Sequence, residues 1–520
     1  MLKLFHKHIP LYFLLIVIAL VFRLPGINKQ PILDEGYSLK AVNGAWGQII
    51  ADRFLDAHPP LFYFLIHLWG QISGNIVWLR LFSVLCGSLV CVLLYHLVLR
   101  LFGTQIALIS YVLSAISPQL IFVSQYSRPY VLALIFSLLS VSFFINIMEE
   151  SKEKNPASLS NILLYLLLAL LSLYTFYYSI FIILSVFICG IYLLKVQRPF
   201  ILKWLIGHML VGFGYLPWFF VQQGQMAHLR DNITTKVQFL HESRMGFYWG
   251  EIHIGAILKT FLSVFHFDDV TGSLRYSSHF SFIAFLIVSG AAIAIGIYLL
   301  IKGYKFLRRK EKLSNATFLV ACLIFVPLIC ILSLSILGDL GIAGVGKLAI
   351  NPRYFVQSSI LSGVLIAGAL LSFSPKLLRY GLITLAGCFF LFLTARVWSF
   401  NSYPYEEVVN YLTKNEKSKV VISIPNPVDR ILIQFSSLPK KSSLKNPAVI
   451  SSTDQLTNIS EILDKNESFY LWFTGTAYNS IRYQSLIKQF EVLAMQQGYK
   501  KEEEKNFQDI IFLSLYVKRN

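Results

Sequence analysis

Charged side chains are scarce in this chain. Asp, Glu, Lys and Arg make up 14% of its 520 residues, while hydrophobic residues make up 56%; soluble domains carry about 25% charged residues. Apolar runs of about 18 residues or more recur as far as residue 400 or so, and each can cross a hydrocarbon core of ~30 Å. This composition excludes a soluble globular protein and indicates an integral membrane protein.

Acidic residues are the scarcer of the two charged classes. The chain has 27 of them against 45 Lys and Arg residues, for a net charge of +18. The basic residues cluster in short loops, such as those at 195–203 and 302–312, which alternate with loops of lower Lys/Arg density. That is the positive-inside pattern. We interpret the excess as an orientation signal in the plasma (inner) membrane, with a cytoplasmic N-terminus, and expect no nucleic-acid partner.

Cysteine and histidine patterns exclude two further kinds of site. All six cysteines lie within apolar segments, where they behave as small hydrophobic residues, so the sequence contains no disulfide framework. His228, His241 and His266 lack the close spacing typical of metal ligands.

The segment from Gly341 to Lys347 has the glycine and lysine spacing of a phosphate-binding loop. Because Leu348 stands where a Mg²⁺-holding Ser or Thr is needed, we do not assign a nucleotide site.

The apolar runs predict about eleven transmembrane helices. The first, after Lys3 and Lys7, resembles a signal peptide but lacks a small-residue cleavage site, so we expect it to be retained. The long run 161–194 requires two passes, which we divide at Tyr177-Tyr178. The predicted crossings are 9–24, 78–99, 105–123, 130–148, 161–176, 178–194, 203–220, 281–301, 316–337, 354–373 and 380–397.

Two regions outside these crossings have structure of their own. The first outer loop, 25–77, contains segments at 38–54 and 61–71 that fit helices lying in the membrane interface. After residue 399 the composition becomes polar, with short β-rich runs separated by candidate helices. We therefore predict a transmembrane domain at 1–399 and a small extracytoplasmic α/β domain at 400–520.

Polar residues of the first outer loop form the leading candidate site. Asp34 and Glu35 follow the first helix, and Asp56 and His58 stand just before Pro59-Pro60. Two solvated loop acids are the ordinary interpretation. At this boundary, however, a carboxylate can act as a general base on an acceptor hydroxyl while nearby cations bind a leaving phosphate.

Two arginines paired with tyrosines are predicted at the same outer boundary. One pair is Arg128 with Tyr130, and the other is Arg353 with Tyr354. Such pairs can simply anchor helix ends in the interface. The alternative is a set of guanidinium donors directed at a lipid phosphate, which a guanidinium binds with better geometry than an ammonium does.

An ordered set of motifs resembles a known family. Asp34-Glu35, His58-Pro59-Pro60-Leu61, Arg80-Leu81-Phe82-Ser83, Gln125 to Tyr130, Tyr215-Leu216-Pro217-Trp218 and Pro352-Arg353-Tyr354 occur in this order over roughly residues 10–400. The set is similar to that of the GT-C glycosyltransferases related to dolichyl-phosphate-mannose protein mannosyltransferases and bacterial aminoarabinose transferases (glycosyltransferase family 39-like). The resemblance implies a polytopic α-helical GT-C-like fold with interfacial helices in the first outer loop.

The resemblance also implies a reaction. An inverting transfer moves a sugar from a polyprenyl-phosphate-linked donor to an extracytoplasmic protein, lipid or glycan acceptor. Asp34, with Glu35 beside it, would be the catalytic base, and His58, Arg128, Tyr130, Arg353 and Tyr354 would bind the lipid phosphate, supported by Asp56. No cofactor is expected. Ala57 stands where aminoarabinose transferases have a metal-binding acid, so a divalent metal is left open.

A membrane transporter or lipid-sugar flippase is the rival interpretation. Transporters place ionisable residues and broken helices near the bilayer midplane. Here the middle positions of the predicted helices are almost free of charged residues, which gather instead at one surface. We therefore expect the candidate residues to line one cavity at the outer leaflet, open sideways to lipid.

Overall fold

The computed structural model of the chain is largely helical up to residue 399. Its described residues are 9–29, 35–52, 58–152, 158–194, 198–242, 248–249, 252–253, 279–309, 313–339, 352–399, 405–414, 420–424, 448–449, 463–474, 481–507 and 511–518. The first seven helices are α1 (Ile9–Arg23), α2 (Gly36–Asn43), α3 (Trp46–Asp52), α4 (Leu61–Gly70), α5 (Ile76–Phe102), α6 (Thr104–Ala115) and α7 (Pro118–Ser124). There follow α8 (Tyr130–Lys152), α9 (Leu159–Thr175), α10 (Ser179–Leu194) and α11 (Arg198–Glu242).

The second half of the helical region begins with a two-stranded antiparallel ribbon, β1 (Tyr248–Trp249) with β2 (Ile252–His253). It continues through α12 (His279–Arg308), α13 (Ser314–Asp339), a 3₁₀ turn (Pro352–Phe355), α14 (Val356–Leu371) and α15 (Lys376–Ser399). The remaining elements are α16 (Tyr405–Lys414), β3 (Val421–Ile424), β4 (Ala448–Val449), β5 (Ser468–Thr474), α17 (Ile481–Gln496), β6 (Tyr499–Phe507) and β7 (Ile511–Lys518).

Several helices are long and apolar enough to cross a membrane. Among the described residues six meet that test, in α5, α8, α11, α13, the turn with α14, and α15, or seven if the bent pair α6–α7 is one span. Helices α1, α9 and α10 are shorter and apolar. The chain is therefore a multi-pass membrane protein, and a total of eleven crossings stays a prediction. The long apolar run does divide at the turn between Thr175 and Ser179, as its length requires.

The segment 105–123, predicted as one crossing, consists of two helices joined at a bend. Helices α6 and α7 meet at a bend of 57°. Pro118, which has no N–H to continue α6, is the first residue of α7. The Ser117 hydroxyl caps the new helix by accepting a hydrogen bond from the Leu120 amide at 3.2 Å. Because hydrophobicity is continuous across the break, the apolar run alone indicates a single helix.

Arg23 satisfies the carbonyl groups that this break releases. Its guanidinium is fully buried and donates to the carbonyl oxygens of Ala115 at 3.2 Å and Ser114 at 3.4 Å. The Thr394 hydroxyl donates to the next carbonyl, that of Ile116, at 2.7 Å. Unsatisfied carbonyls at membrane depth cost several kcal/mol each, and a cation at a helix C-terminus is favoured by the helix dipole. These contacts therefore stabilise the bend.

The same arginine fixes the chain that follows α7. Arg23 Nε donates to the Ser124 hydroxyl at 3.2 Å, and the Gln125 side-chain amide donates back to the Arg23 carbonyl at 2.8 Å. Helix α5 passes Ser124 at Gly87, where an added Cβ would lie 2.0 Å from the Ser124 Oγ. The loop after α7 is thus tied to the end of α1 and pressed against α5.

The residues after 399 build a five-stranded sheet. Its order is β4-β3-β5-β7-β6, with β3 parallel to both neighbours and β7 antiparallel to β5 and β6. Phe469, Leu471 and Tyr516 of the sheet form a buried cluster with Leu486 and Phe490 of α17. The charged edge strand β6 has a register shift between Lys501 and Glu503; charges and irregularities of this kind discourage edge-to-edge pairing.

Internal contacts divide the chain into two units. One contains 1–27, 45–230 and 247–400, and the other contains 28–44, 231–246 and 401–520. The boundary near residue 400 coincides with the predicted change from transmembrane to polar sequence. The segments 28–44 and 231–246, which the sequence assigns to outer loops of the transmembrane domain, group instead with the C-terminal residues.

We expect Arg23→Met to lower the thermal unfolding midpoint of the detergent-solubilised protein substantially. The variant keeps a long side chain but removes the donor of the Ala115 carbonyl and the second donor of the Ser114 carbonyl, which the Ser117 amide also bonds; leaving one buried carbonyl unsatisfied costs about 1–3 kcal/mol. Arg309→Met, which removes an exposed arginine, is the control and should unfold near the wild-type midpoint. Equal midpoints for the two variants would contradict the capping role of Arg23.

Gly87→Ala should also destabilise the protein, because its methyl group would overlap Ser124. Overpacking of this kind typically costs about 1–3 kcal/mol. The control is Gly381→Ala in α15, where an added Cβ meets no described atom within 4 Å. Thermal unfolding of both variants checks the prediction, and a Gly87→Ala protein as stable as the control would show that α5 and α7 can separate without cost.

Candidate active site

Five of the eight predicted site residues meet in one cluster of the larger unit. These are His58, Arg128, Tyr130, Arg353 and Tyr354. The Tyr130 ring contacts His58, Tyr354 and the Arg353 guanidinium, and Arg128 lies two residues before Tyr130 in the same loop. The other three predicted residues cannot be assigned to it. Glu35 lies just before α2 in the second unit, with its side chain fully buried, and Asp34 and Asp56 lie outside the described residues.

Arg128 is held at the end of the loop that follows the broken helix. Its amide bonds to the Tyr126 carbonyl at 2.7 Å, which closes a tight turn. Its side chain is 2% exposed, and one guanidinium nitrogen donates to the Tyr63 hydroxyl of α4 at 2.6 Å. Because Tyr63 is itself fully buried in α4, the guanidinium is attached to a rigid element.

Arg353 approaches from the far end of the sequence. It lies in the 3₁₀ turn before α14, is half-buried, and donates to the Tyr126 hydroxyl at 2.9 Å. Its guanidinium carbon also lies 5.4 Å from the ring centre of Tyr126 and 5.9 Å from that of Tyr130. These two rings are parallel, with centres 6.3 Å apart. The positive charge is thus positioned by an aromatic surface, a favourable contact for a cation.

His58 is placed by the rigid dipeptide that follows it. Pro59 and Pro60 lead directly into α4, and the imidazole packs against Tyr130 at 5.8 Å and Phe176 at 5.7 Å between ring centres. The residue is 6% exposed. His58 and Arg353 therefore both lie against the ring of Tyr130.

Tyr354 completes an aromatic wall. Its ring stacks on that of Tyr178 with centres 4.5 Å apart and lies 5.7 Å from Phe176. Phe176 and Tyr178 come from the short turn between α9 and α10. The turn that splits the long apolar run therefore also contributes two rings to the site.

A pocket opens beside this wall. It is small, and its described lining contains no Asp, Glu, Lys, Arg or His side chain. The lining comes from α8, the α9–α10 turn, α10, α13 and the start of α14; it consists of Tyr130, Ala133, Leu134, Phe176, Tyr178, Ser179, Ile182, Pro327, Ile331, Tyr354, Val356, Gln357 and Ser358. Tyr130 and Tyr354 belong to both the arginine cluster and the pocket, so the two are continuous.

This geometry suits an anionic group. Guanidiniums on fixed aromatic neighbours can bind phosphate oxygens through charge-assisted hydrogen bonds, and an imidazole N–H can add a further donor. Within the described parts of the chain, no three His, Cys, Asp or Glu side chains converge in a way that could hold a metal ion.

Sequence reasoning missed several residues that build the site. Tyr63 and Tyr126 accept the hydrogen bonds of the two arginines, and Phe176 and Tyr178 form the aromatic wall. Tyr126 lies inside a motif that the sequence analysis singles out for its arginine, and Tyr178 marks a turn. Arg23 could have been singled out from the sequence, because an ionisable residue within an apolar segment of a membrane protein generally has a function.

Comparisons with known proteins agree with this architecture. The sequence profile of the family described as dolichyl-phosphate-mannose-protein mannosyltransferase matches residues 57–220. That range contains His58, Arg128 and Tyr130. No curated protein sequence is similar enough to match the chain.

Solved structures are similar over nearly the whole chain. ArnT from Cupriavidus metallidurans bound to undecaprenyl phosphate is 12% identical, with 98% of each chain covered and a TM-score of 0.56. The Archaeoglobus fulgidus oligosaccharyltransferase tethered to an acceptor peptide containing the NVT sequon is 13% identical, with 96% of this chain and 73% of that chain covered and a TM-score of 0.52. These matches confirm the resemblance to GT-C glycosyltransferases, and at such identities they show the fold alone.

Proposed function

We propose that this protein is an inverting glycosyltransferase that moves a sugar from a polyprenyl-phosphate-linked donor to an extracytoplasmic acceptor. The observation that carries the proposal is that one loop, from Tyr126 to Tyr130, bears Arg128 and also the two rings against which Arg353 lies. A phosphodiester donor needs cations at its phosphate and a separate place for its sugar. No local sequence pattern brings Arg353 to the loop that bears Arg128. A ligand that both arginines contact is the simplest reason for this arrangement.

The donor class is supported by what the site provides. A sugar on polyprenyl phosphate needs no nucleotide pocket, because the lipid phosphate is the leaving group. Two fixed guanidiniums can stabilise the charge that develops on that phosphate as the bond breaks. The similar ArnT structure is bound to undecaprenyl phosphate, which is the same class of leaving group.

The proposed reaction is a single displacement. The acceptor oxygen bonds to the anomeric carbon while the bond from that carbon to the phosphate oxygen breaks. Its electron pair leaves with the phosphate, which gives polyprenyl phosphate, and the acceptor proton passes to a carboxylate. Asp34, with Glu35 beside it, is the proposed base on the strength of its match to the family motif.

The acceptor is proposed only as an extracytoplasmic molecule. The similar Archaeoglobus fulgidus structure carries an acceptor peptide, so protein is one class, and a lipid or a growing glycan are the others.

The N-terminus is proposed to be cytoplasmic and the residues after 399 extracytoplasmic in the plasma (inner) membrane, as the distribution of basic residues indicates.

The function is tested by incubating purified protein in lipid nanodiscs with radiolabelled polyprenyl-phosphate sugars. Transfer of label to protein, lipid or glycan acceptors, or slow hydrolysis to free sugar, supports a transferase. Binding of the donors without transfer or hydrolysis under any acceptor condition would instead favour a flippase. Failure to bind any donor would refute both.

Asp34→Asn should abolish transfer while leaving donor binding nearly unchanged. The amide keeps the shape of the side chain but cannot accept the acceptor proton, and loss of a general base typically costs ~10²–10⁴-fold in rate. The matched control is Glu149→Gln, which removes an acid paired with Arg100 on the solvent-exposed end of α8. Turnover of Asp34→Asn within threefold of wild type would remove Asp34 from the mechanism.

Arg128→Ala and Arg353→Ala should each weaken binding of bare polyprenyl phosphate by roughly 10-fold or more, the value of a charged hydrogen bond. The Lys variants should recover part of the loss, since an ammonium supplies charge without the guanidinium fork. Affinity is measured in nanodiscs, with Arg309→Ala as control and with the unfolding midpoint of each variant recorded. Unchanged affinity in both Ala variants would mean that these arginines only anchor their helices.

A further inference from the structure

Two cations meet on one phenylalanine at the turn between α14 and α15. The Lys302 ammonium of α12 lies 3.3 Å from the centre of the Phe373 ring. The Phe373 carbonyl oxygen accepts a hydrogen bond from Arg379 Nε of α15 at 3.0 Å. Phe373 therefore holds a positive charge from each of two different helices.

No carboxylate offsets these charges within the described parts of the chain. The sequence has no Asp or Glu from 279 to 309 or from 352 to 399. Neither Lys302 nor Arg379 belongs to a salt bridge among the described residues. Like charges repel one another, so an anion that contacts both side chains would stabilise the turn.

Close packing of α12 on α14 fixes the position of Lys302. At the next residue, Gly303, an added Cβ would lie 1.8 Å from the Leu365 carbonyl oxygen of α14. One turn further along, an added Cβ at Gly368 would lie 2.9 Å from the side chain of Leu307. Basic residues at helix ends commonly serve only to orient a membrane protein, a role that does not require such a fixed position.

The turn lies at a surface of the membrane, because it joins two helices that are each long and apolar enough to cross. Exposed apolar side chains surround it. Leu377 and Tyr380, which follow the turn, are 85% and 61% exposed, and Ile301, beside Lys302, is 50% exposed. Cations next to exposed apolar residues suit a ligand that has both an anionic group and acyl chains.

We propose that this junction binds the head group of an anionic phospholipid. The Lys302 ammonium and the remaining N–H groups of Arg379 donate charge-assisted hydrogen bonds to its phosphate, and its acyl chains lie along the exposed apolar residues. Lys305 and Lys376, both exposed, add positive potential around the site. Basic pockets between membrane helices bind anionic head groups in this way. The ligand is distinct from the proposed sugar donor, and the site does not depend on the proposed function.

The charges of the junction select a head group that is anionic overall. A zwitterionic phospholipid has the same phosphate but also an ammonium, which Lys302 and Arg379 repel. Inorganic phosphate has charge without acyl chains, and a soluble acidic peptide leaves Leu377 and Tyr380 uncovered. An anionic phospholipid is the occupant that uses both the cations and the apolar residues.

Binding is measured as a rise in the thermal unfolding midpoint of the full-length protein in a neutral detergent, because a ligand of the folded state stabilises it. Phosphatidylglycerol should raise the midpoint. Phosphatidylethanolamine with the same acyl chains, inorganic phosphate and a poly-glutamate peptide should not. An equal rise with any of these three, or no rise with phosphatidylglycerol, would overturn the proposal.

The double variant Lys302→Gln/Arg379→Gln should bind phosphatidylglycerol roughly 10-fold or more weakly, as expected for the loss of a charged hydrogen bond. Each rise is taken from the variant's own lipid-free midpoint, so a change in intrinsic stability does not affect the comparison. The matched control is Lys203→Gln/Arg309→Gln, which removes a lysine and an arginine from exposed positions and should respond as wild type does. Equal losses in the two double variants would show general attraction to a basic surface and overturn the site.

Phe373→Leu tests the ring that positions the lysine. The variant keeps every charge but removes the aromatic face beneath Lys302, and it should weaken phosphatidylglycerol binding by roughly threefold or more, the value of a cation–π contact. Unchanged affinity in this variant would attribute binding to charge alone and overturn the fixed site.

Discussion

The contact between Arg23 and the end of α6 is the interaction on which the arrangement of this site depends. A membrane helix that stops within the protein leaves carbonyl groups that water cannot reach, and the membrane tolerates such a stop only where protein atoms replace the water. Arg23 and Thr394 supply those atoms. The bend that follows carries the chain through Ser124 and Gln125 to Tyr126 and Arg128. A structural arginine thus positions the loop that bears Arg128.

The site arginines are held by tyrosines, and the choice of partner has a consequence. Tyrosine hydroxyls and ring faces hold a guanidinium in place without cancelling its charge, whereas a carboxylate in the same position would neutralise it. The recorded bonds of Arg128 to Tyr63 and of Arg353 to Tyr126 are of this kind. Because Tyr126 lies two residues before Arg128, one loop positions both charges. These contacts with tyrosine rings and hydroxyls are compatible with an apolar environment.

Sequence patterns predicted part of this structure for identifiable reasons. The apolar runs gave the positions of the helices, since length and hydrophobicity decide membrane crossing, and the repeated Arg-Tyr pairs pointed to residues that do meet. The break at Ser117-Pro118 was missed because the hydrophobic run continues through it. The partners of Arg23 at 91, 114, 115 and 124 are distant in sequence, and no local pattern records such contacts. The grouping of 28–44 with the C-terminal residues was missed for the same reason.

His58 and the two arginines of the cluster share a position relative to the helices that they precede. His58 stands before α4, Arg128 before α8 and Arg353 before α14, each within three residues of the first helical residue. The N-terminus of a helix carries a partial positive charge from its unpaired amides. Each of these helix starts therefore adds positive potential beside the residue that precedes it. Each of these features can serve as an ordinary helix boundary when taken alone. Arg353 and His58 both contact the Tyr130 ring, and Arg128 lies in the loop that bears it, which is the arrangement that the proposed phosphate site requires.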